Sequence, residues 1–357
     1  MKVAFTGGGS AGHVTPNLAI MERFASEGAD IHYFGTEEGI EHQIIQDLGG
    51  VPYHVVPSER LRRYASWRNL LTPFLVLKGL IAGALKVRKV KPAVLFSKGG
   101  FVSFPVVVGA WLNGIPVIIH ESDLTPGLAN KLSFPFADKI CVGFKDAGKH
   151  ISAQQKVVFT GAPLRKAIFE ADAARGREVF GLDPNRPTFM VTGGSLGARH
   201  INEVVRQALP SLLELGQVVH LCGKGNLDAS VSDTPGYQQI EYLNEHFADL
   251  MAASDVIICR AGANTLMELA ALKKPSLLIP LPTASSRGDQ LKNAESFAEQ
   301  GLARVLLDED LTPDTLLDSL QEMTAHHEQY TQALAEYDLP DSVARIHELM
   351  MDLAKKG

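Results

Sequence analysis

A plan used twice constrains this chain more than any other feature. A short apolar run, KVAF at residues 2–5, leads into TGGGSAGHVTP at 6–16 and then into NLAIMERFA, whose apolar residues recur at helical spacing. From Thr188, TFMVTGGSLGARHINEVV repeats that order of strand, glycine turn with serine, and helix. A glycine turn joining a strand to a helix exposes converging backbone N–H groups at the positive end of the helix dipole, a geometry suited to phosphate. Strand candidates in the first half are KVAF, IHYF, YHVV, AVLF, VIIH, KICV and VVF. In the second half they are TFMV, VVHL, QIEY, VIIC, SLLI and ARVLL, again alternating with helical stretches. Such alternation predicts an α/β protein with a parallel sheet covered by helices on both faces, built twice. At 357 residues two domains are expected, with FTGAPLRKAI around residue 160 as the joint. Two such domains facing each other would form a cleft where strand ends and glycine turns meet.

The literal Gly7-x-Gly9-x-x-Gly12 also matches the dinucleotide fingerprint, which calls for an acidic residue about 20 positions on, closing the second strand. Gly35 follows that strand here, and Glu37 and Glu38 lie further along in a loop. A nicotinamide enzyme is therefore disfavoured. The 45% hydrophobic and 21% charged content is that of a soluble globular protein. Cys141, Cys222 and Cys259 are few, odd in number and mostly within apolar runs, so neither a disulfide framework nor a zinc cluster is implied. A reducing cytoplasm fits, and the passage from Met1 straight into a strand, without a charged leader and apolar core, argues against export.

Charge separates the halves. Residues 1–161 carry 17 Lys and Arg against 12 Asp and Glu, and the remainder 17 against 28. The positive charge concentrates in residues 60–91, which hold nine Lys and Arg and no acid around an apolar, helix-like span from Leu70 to Leu85. That span is interrupted by Lys78 and is too short for a transmembrane helix. Basic residues around apolar and aromatic ones suit an anionic membrane surface, with a buried helix as the competing explanation. Nucleic acid is not expected, because the domain is only mildly basic and its aromatics are not interleaved as stacking platforms.

The second half adds polar groups at strand ends. After VIIC comes RAGANTLMELAALKKP, in which Gly262 opens a turn, Asn264 or Thr265 caps a helix and Glu268 lies in its first turns. A carboxylate there can accept from both hydroxyls of a ribose, while N–H groups of the turn face phosphate. SLLIPLPTASSRGDQLKNA then places Asp289 and Gln290 in a loop or helix start, where polar side chains could read sugar hydroxyls. The Asp-x-Asp at Asp308 and Asp310 reads as a loop and helix start, so no obligatory metal is indicated.

Together these residues resemble the MurG glycosyltransferases, nearly end to end. The resemblance rests on GGGSAGH at 7–13, KGGFVSFP at 98–105, HESD at 120–123, PGLANK at 126–131, GAPLR at 161–165, GGSLGA at 193–198, RAGANTLMEL at 260–269 and DQLKNA at 289–294. It implies the GT-B fold, two Rossmann-like domains with parallel sheets facing across a cleft. It also implies an acceptor and membrane-facing domain at 1–161, a UDP-sugar donor domain at 162–340, and a C-terminal helix at about 341–357 returning to the first domain. The reaction implied is inverting transfer of N-acetylglucosamine from UDP-N-acetylglucosamine to the 4-hydroxyl of an undecaprenyl-linked muramyl peptide, at the cytoplasmic face of the membrane, in peptidoglycan synthesis. No cofactor is obligatory in that reaction, and stimulation by a divalent cation stays open.

Carried over by position, Ser10, Ala11 and Gly12 form the first glycine loop, and Lys98, Gly99 and Gly100 lie among the substrate contacts. Arg165 and Ser195 match donor diphosphate contacts, Leu243 the uracil contact, and Ala263, Asn264, Thr265, Leu266, Met267 and Glu268 the nucleotide loop with Glu268 on ribose. Asp289 and Gln290 match the sugar-reading segment. His13 is the candidate base, with Glu121 and Asp123 next. Two departures stand out. Ser10 and Ala11 replace residues of the usual GGTGGH, and HESD replaces HEQN, putting Asp123 where an asparagine amide would donate a hydrogen bond. The alternatives weighed are a GT-B transferase acting on another lipid or soluble acceptor, a sugar-nucleotide epimerase, and a carbohydrate-binding protein without activity.

Overall fold

A computed structural model describes residues 1–58, 72–194, 197–284 and 286–356. The chain divides into two compact units, Met1–Arg165 with Pro340–Gly357, and Lys166–Leu339.

The first unit is built on seven strands: β1 (Lys2–Thr6), β2 (Asp30–Gly35), β3 (Tyr53–Val55), β4 (Val94–Ser97), β5 (Val117–Glu121), β6 (Lys139–Val142) and β7 (Val157–Phe159). They form one parallel sheet in the order β3-β2-β1-β4-β5-β6-β7, with Val3 opposite both Ile31 and Val94 in register. Helices cover a parallel sheet on both faces, so its central strands are apolar throughout. Val94–Ser97 and Val117–Glu121 are buried at every position. Phe5, Phe24, Tyr33, Phe96 and Ile118 fill one face of this core, and Ile346 and Met350 of the C-terminal helix Ser342–Ala354 join them. That helix is capped by Asp341, whose Oδ1 accepts from Ala344 N at 3.0 Å, and is tied down where Ser342 Oγ donates to the Gly161 carbonyl at 3.1 Å.

The second unit repeats the construction with β8 (Thr188–Thr192), β9 (Gln217–Leu221), β10 (Tyr237–Ile240), β11 (Val256–Cys259), β12 (Ser276–Leu278) and β13 (Arg304–Val305), all parallel in the order β10-β9-β8-β11-β12-β13. Its core gathers Phe189, Val191, Ile201, Val205, Ile258, Leu277, Leu316 and Leu320.

All thirteen strand candidates correspond to strands, with local shifts. QIEY begins at Gln239, but β10 starts at Tyr237, paired with Val218. This is an edge strand, whose register comes from its single neighbour. The apolar run after Leu70 becomes a helix over Thr72–Val90, extending past Leu85 through Lys86, Arg88 and Lys89. The helix after β11 starts at Ala263, with Gly262 at the cap position. Asn264 and Thr265 are thus inside its first turn, not capping residues as the sequence pattern suggested.

Candidate functional site

In the first unit the site is the carboxyl-terminal edge of the sheet, where the loops after β1, β4 and β5 converge. Past Thr6 the chain runs through Gly7, Gly8 and Gly9 into a 3-10 turn at Ala11–His13 and then the helix Thr15–Ser26, with Pro16 in its first turn. The loop lies against the one after β4: Gly8 N donates to the Gly99 carbonyl at 3.3 Å and Lys98 N to the Thr6 carbonyl at 2.9 Å. Gly100 has φ +87°, and a Cβ there would stand 2.2 Å from the Gly8 carbonyl oxygen, so only glycine lets the two loops approach this closely.

A buried carboxylate braces the glycine loop from beneath. Glu41 Oε2 accepts from Gly9 N at 3.1 Å, while Oε1 accepts from Thr36 N at 3.1 Å and Thr36 Oγ1 at 2.6 Å. Two buried polar side chains complete this support: Tyr33 OH donates to the Gly7 carbonyl at 2.7 Å and Asn17 Nδ2 to Tyr33 OH at 3.0 Å. Burial, with a smaller contribution from the Glu41 charge, holds the Tyr33 and Tyr53 phenols above their ordinary range.

His13 is half-buried, its Nδ1 3.1 Å from the Gly8 carbonyl and 3.1 Å from Ser10 Oγ. A carbonyl oxygen only accepts, so Nδ1 carries the proton and Nε2 the lone pair.

Beneath the β5 loop lies a second buried cluster. Lys98 is 1% exposed; its Nζ donates to His120 Nδ1 at 2.9 Å and to Ser122 Oγ. Burial pushes the Lys98 ammonium down to about 8, against the opposing pull of Glu121 and Asp123. Burial, and then the Lys98 charge, hold His120 well below its ordinary value. Its Nε2–H donates to the Gly161 carbonyl at 2.8 Å, which makes Nδ1 the acceptor. Glu121 is fully engaged within its own loop, taking Asp123 N at 3.0 Å, Gly127 N at 3.0 Å and Asn130 Nδ2 at 2.9 Å. Asp123 is half-buried at the end of this segment. Arg165 is half-buried, and its Nε is buried with no hydrogen-bond partner among the described residues.

In the second unit the loop after β8 passes through Gly193, Gly194 and Gly197 into the helix Arg199–Gln207; Ser195, a sequence candidate, lies outside the described residues. Asn202 on that helix donates to the Cys222 carbonyl at 2.8 Å and accepts from His220 Nε2 at 2.9 Å, while Tyr237 OH reaches His220 Nδ1 at 2.8 Å. Burial, and then Arg206, lower His220 to about 3. After β11, Arg260 donates to the carbonyls of Ile279 and Pro280 at 3.1 and 3.2 Å and pairs with Asp308.

The helix Ala263–Ala271 buries Ala263, Leu266, Met267, Leu269 and Ala270. Asn264, Thr265, Glu268 and Ala271 are its half-buried positions. Asn264 and Glu268, four apart, share one face. Of the run 263–268, Asn264, Thr265 and Glu268 are the partly exposed side chains, whereas Leu266 and Met267 are 0% exposed and can offer only backbone. Asp289 and Gln290 start the helix Asp289–Glu299 after Gly288, φ +75°. Gln290 Oε1 accepts from Leu281 N at 3.1 Å, which orients its amide NH2 as the donor. Leu243 is half-buried in the loop between β10 and the helix Phe247–Ala253.

Sequence reasoning missed Glu41, Asn17, Asn130 and Ser122. Glu41 carried one faint signal, an acidic residue in the first turn of the helix Ile40–Leu48, which otherwise reads as ordinary dipole compensation. Asp308 is engaged by Arg260 and His200, and no group of three or more His, Cys, Asp or Glu side chains able to hold a metal occurs among the described residues.

Residues 60–71 of the basic segment lie outside the described residues. The helix that follows, Thr72–Val90, exposes Leu77, Ile81 and Leu85 by 55%, 54% and 61%, at i, i+4 and i+8 on one stripe. It packs on the helix Ser103–Leu112, which in turn packs on Leu128–Ser133; these two expose Trp111, Leu112, Leu128 and Leu132. No described helix is long and apolar enough to cross a membrane.

Residues 3–142 match the glycosyltransferase family 28 N-terminal domain and residues 188–348 the glycosyltransferase family 28 C-terminal domain. A Bacillus cereus protein named UDP-N-acetylglucosamine–N-acetylmuramyl-(pentapeptide) pyrophosphoryl-undecaprenol N-acetylglucosamine transferase 2 is 48% identical over 97% of this chain and 97% of its own length. The Legionella pneumophila transferase of the same name, without the numeral, is 47% identical over 99% of this chain and 97% of its own. Among solved structures, MurG of Acinetobacter baumannii superposes with a TM-score of 0.77 at 25% identity, covering 98% of this chain and 99% of that one.

Proposed function

The chain belongs to the MurG family within glycosyltransferase family 28, and on that premise we propose how its residues carry out the family's reaction. It transfers N-acetylglucosamine from UDP-N-acetylglucosamine to the lipid-linked muramyl pentapeptide in peptidoglycan synthesis. The acceptor is held by the first unit and the donor mainly by the second.

In an inverting transfer the acceptor's 4-hydroxyl attacks the anomeric carbon as UDP leaves. A base must take the hydroxyl proton, and the leaving diphosphate must be stabilised. His13 is the base: the Gly8 carbonyl fixes its tautomer, so that Nε2 presents a lone pair beside the glycine loop. The contact of His13 Nδ1 with the Gly8 carbonyl at 3.1 Å is the observation that carries the assignment. Gly8 N and Gly9 N are committed to the Gly99 carbonyl and Glu41, so the exposed Ser10–Gly12 stretch is the part of the loop that meets the acceptor diphosphate. Glu121 spends both carboxylate oxygens on its loop and serves as a brace, leaving Asp123 as the carboxylate that meets the acceptor sugar. In the second unit Glu268 accepts from the ribose hydroxyls, Asn264 and Thr265 face the nucleotide, Leu243 borders the uracil and the Gln290 amide donates to the transferred sugar. The unmatched Nε of Arg165 gains a partner when it meets the donor diphosphate. The direct test is incubation of the protein with labelled UDP-N-acetylglucosamine and a panel of lipid acceptors. Label should pass to the undecaprenyl-linked muramyl pentapeptide, and transfer to a different acceptor only would overturn the assignment.

The exposed stripe Leu77, Ile81 and Leu85 is the membrane contact, supported by Lys78, Lys86, Arg88 and Lys89 and by the absence of acid on the same helix. The acceptor's lipid tail stays in the bilayer, so the enzyme must work at its surface as a peripheral protein. Burying a leucine side chain contributes about 1.5–3 kcal/mol. Changing the three residues to serine should lower sedimentation with anionic vesicles by at least tenfold. Equal binding by wild type and variant would move the contact elsewhere.

A further inference from the structure

Ser122 lies between Glu121 and Asp123, half-buried, just past the end of β5. The Lys98 ammonium beneath it donates to both Ser122 Oγ and His120 Nδ1. His120 has no proton to return from that nitrogen, because its Nε2–H is given to the Gly161 carbonyl. Ser122 Oγ therefore accepts from the interior, and its own proton is directed to a third group. Lys98, at 1% exposure, cannot reach a ligand without displacing these partners.

Holding an ammonium inside a protein is costly unless charge or hydrogen bonds compensate it. Both hydrogen-bond partners of this one are neutral, and no ion pair to Lys98 occurs among the described residues. A methionine would fill the same space without that cost. The lysine is joined to the glycine loop through its backbone, Lys98 N to the Thr6 carbonyl at 2.9 Å, so its ammonium is fixed relative to the loop that faces the acceptor.

We propose that Ser122 is a contact residue for the lipid-linked acceptor, its hydroxyl aimed from below by Lys98 to donate to an oxygen of the muramyl moiety next to Asp123, with Lys98 as a positioning residue. A sugar hydroxyl both donates and accepts, and a hydroxyl donor beside a carboxylate acceptor answers both needs. Near neutral pH the ammonium, held at about 8, is still mostly charged and supplies the proton that orients Ser122. This inference rests on the assignment of the first unit to the acceptor.

The test is steady-state kinetics of the whole chain with each substrate varied, for Ser122→Ala, Ser122→Thr, Lys98→Met and the Ser122→Ala/Lys98→Met double variant. Ser122→Ala should raise KM for the lipid acceptor about tenfold, the scale of one lost hydrogen bond to a polar ligand, and leave KM for UDP-N-acetylglucosamine unchanged, while the melting temperature falls by a few degrees because the buried Lys98 ammonium loses one acceptor. Ser122→Thr, which keeps the hydroxyl, should restore acceptor KM. Lys98→Met should raise acceptor KM in the parent and add nothing in the Ser122→Ala background. An unchanged acceptor KM in Ser122→Ala, or effects that multiply in the double variant, would overturn the proposal. If Lys98→Met does not fold, the alanine and threonine variants of Ser122 decide alone. A wild-type protein that transfers nothing to this acceptor would instead overturn the acceptor assignment.

Discussion

The two units use the same strand, glycine turn and helix, and both bury a carboxylate that accepts from backbone, Asp249 from Asp172 N in the second, yet the carboxylates beside their strand-end loops are placed differently. In the first, Glu41 and Glu121 are 0% and 4% exposed and accept from backbone N–H groups of the loops above them. In the second, Glu268 is half-buried on a helix face shared with Asn264, while the interior link between helix and sheet is the neutral chain Asn202–His220–Tyr237. A carboxylate whose lone pairs are taken by its own backbone can shape a loop but has little left for a ligand. One that is half-buried on a helix face keeps part of its surface in solvent. Position on the accessible surface, not residue type, separates the carboxylate that braces a loop from the one that solvent reaches.

The largest expected effect tests whether the first unit's loop does chemistry or only binds. His13→Ala should lower kcat by roughly 10²–10⁴-fold with UDP affinity intact. A near-normal rate would end its role as base and reduce the first loop to a binding element. Next comes the brace. Glu121→Ala leaves Asp123 N, Gly127 N and Asn130 Nδ2 without their acceptor, at about 1–3 kcal/mol for each donor that stays buried and dry. The melting temperature should fall by several degrees, and activity with it; a stable Glu121→Ala that is merely inactive would make Glu121 a direct participant and erase the contrast with Glu268. The smallest effect belongs to Glu268→Ala, which should weaken UDP binding by about 1.5–3 kcal/mol without a change in thermal unfolding. A calorimetric titration with unaltered UDP affinity would refute the ribose contact. A large loss of stability would place Glu268 with the braces.

Much of this molecule is legible in its sequence because a parallel sheet needs continuous apolar strands and each glycine turn needs residues without Cβ. The strand runs KVAF, AVLF and VIIH are buried on both sides, so they stand out as uninterrupted apolar segments. QIEY was displaced by two residues because β10 is an edge strand with a mixed burial pattern, and its limits follow from pairing with β9. The half-buried setting of Glu268 was also visible, since Asn264, Thr265 and Glu268 are the polar residues of a helix that buries most of its apolar ones. Lys98 stands among the substrate contacts that the resemblance implies, and the sequence held no sign that its side chain is enclosed and donates to His120 and Ser122.

The linear chain therefore carries the architecture, two doubly wound units with glycine turns at strand ends, and its ordered motifs carry the family resemblance that implies the reaction. Which charged groups are satisfied from within depends on contacts that only folding makes. Glu41 meets Gly9 across 32 positions of chain and Lys98 meets Ser122 across 24. Whether a charge is satisfied from within or left to meet a substrate depends on the partners that folding brings to it, and local pattern carries no record of groups so far apart in the chain.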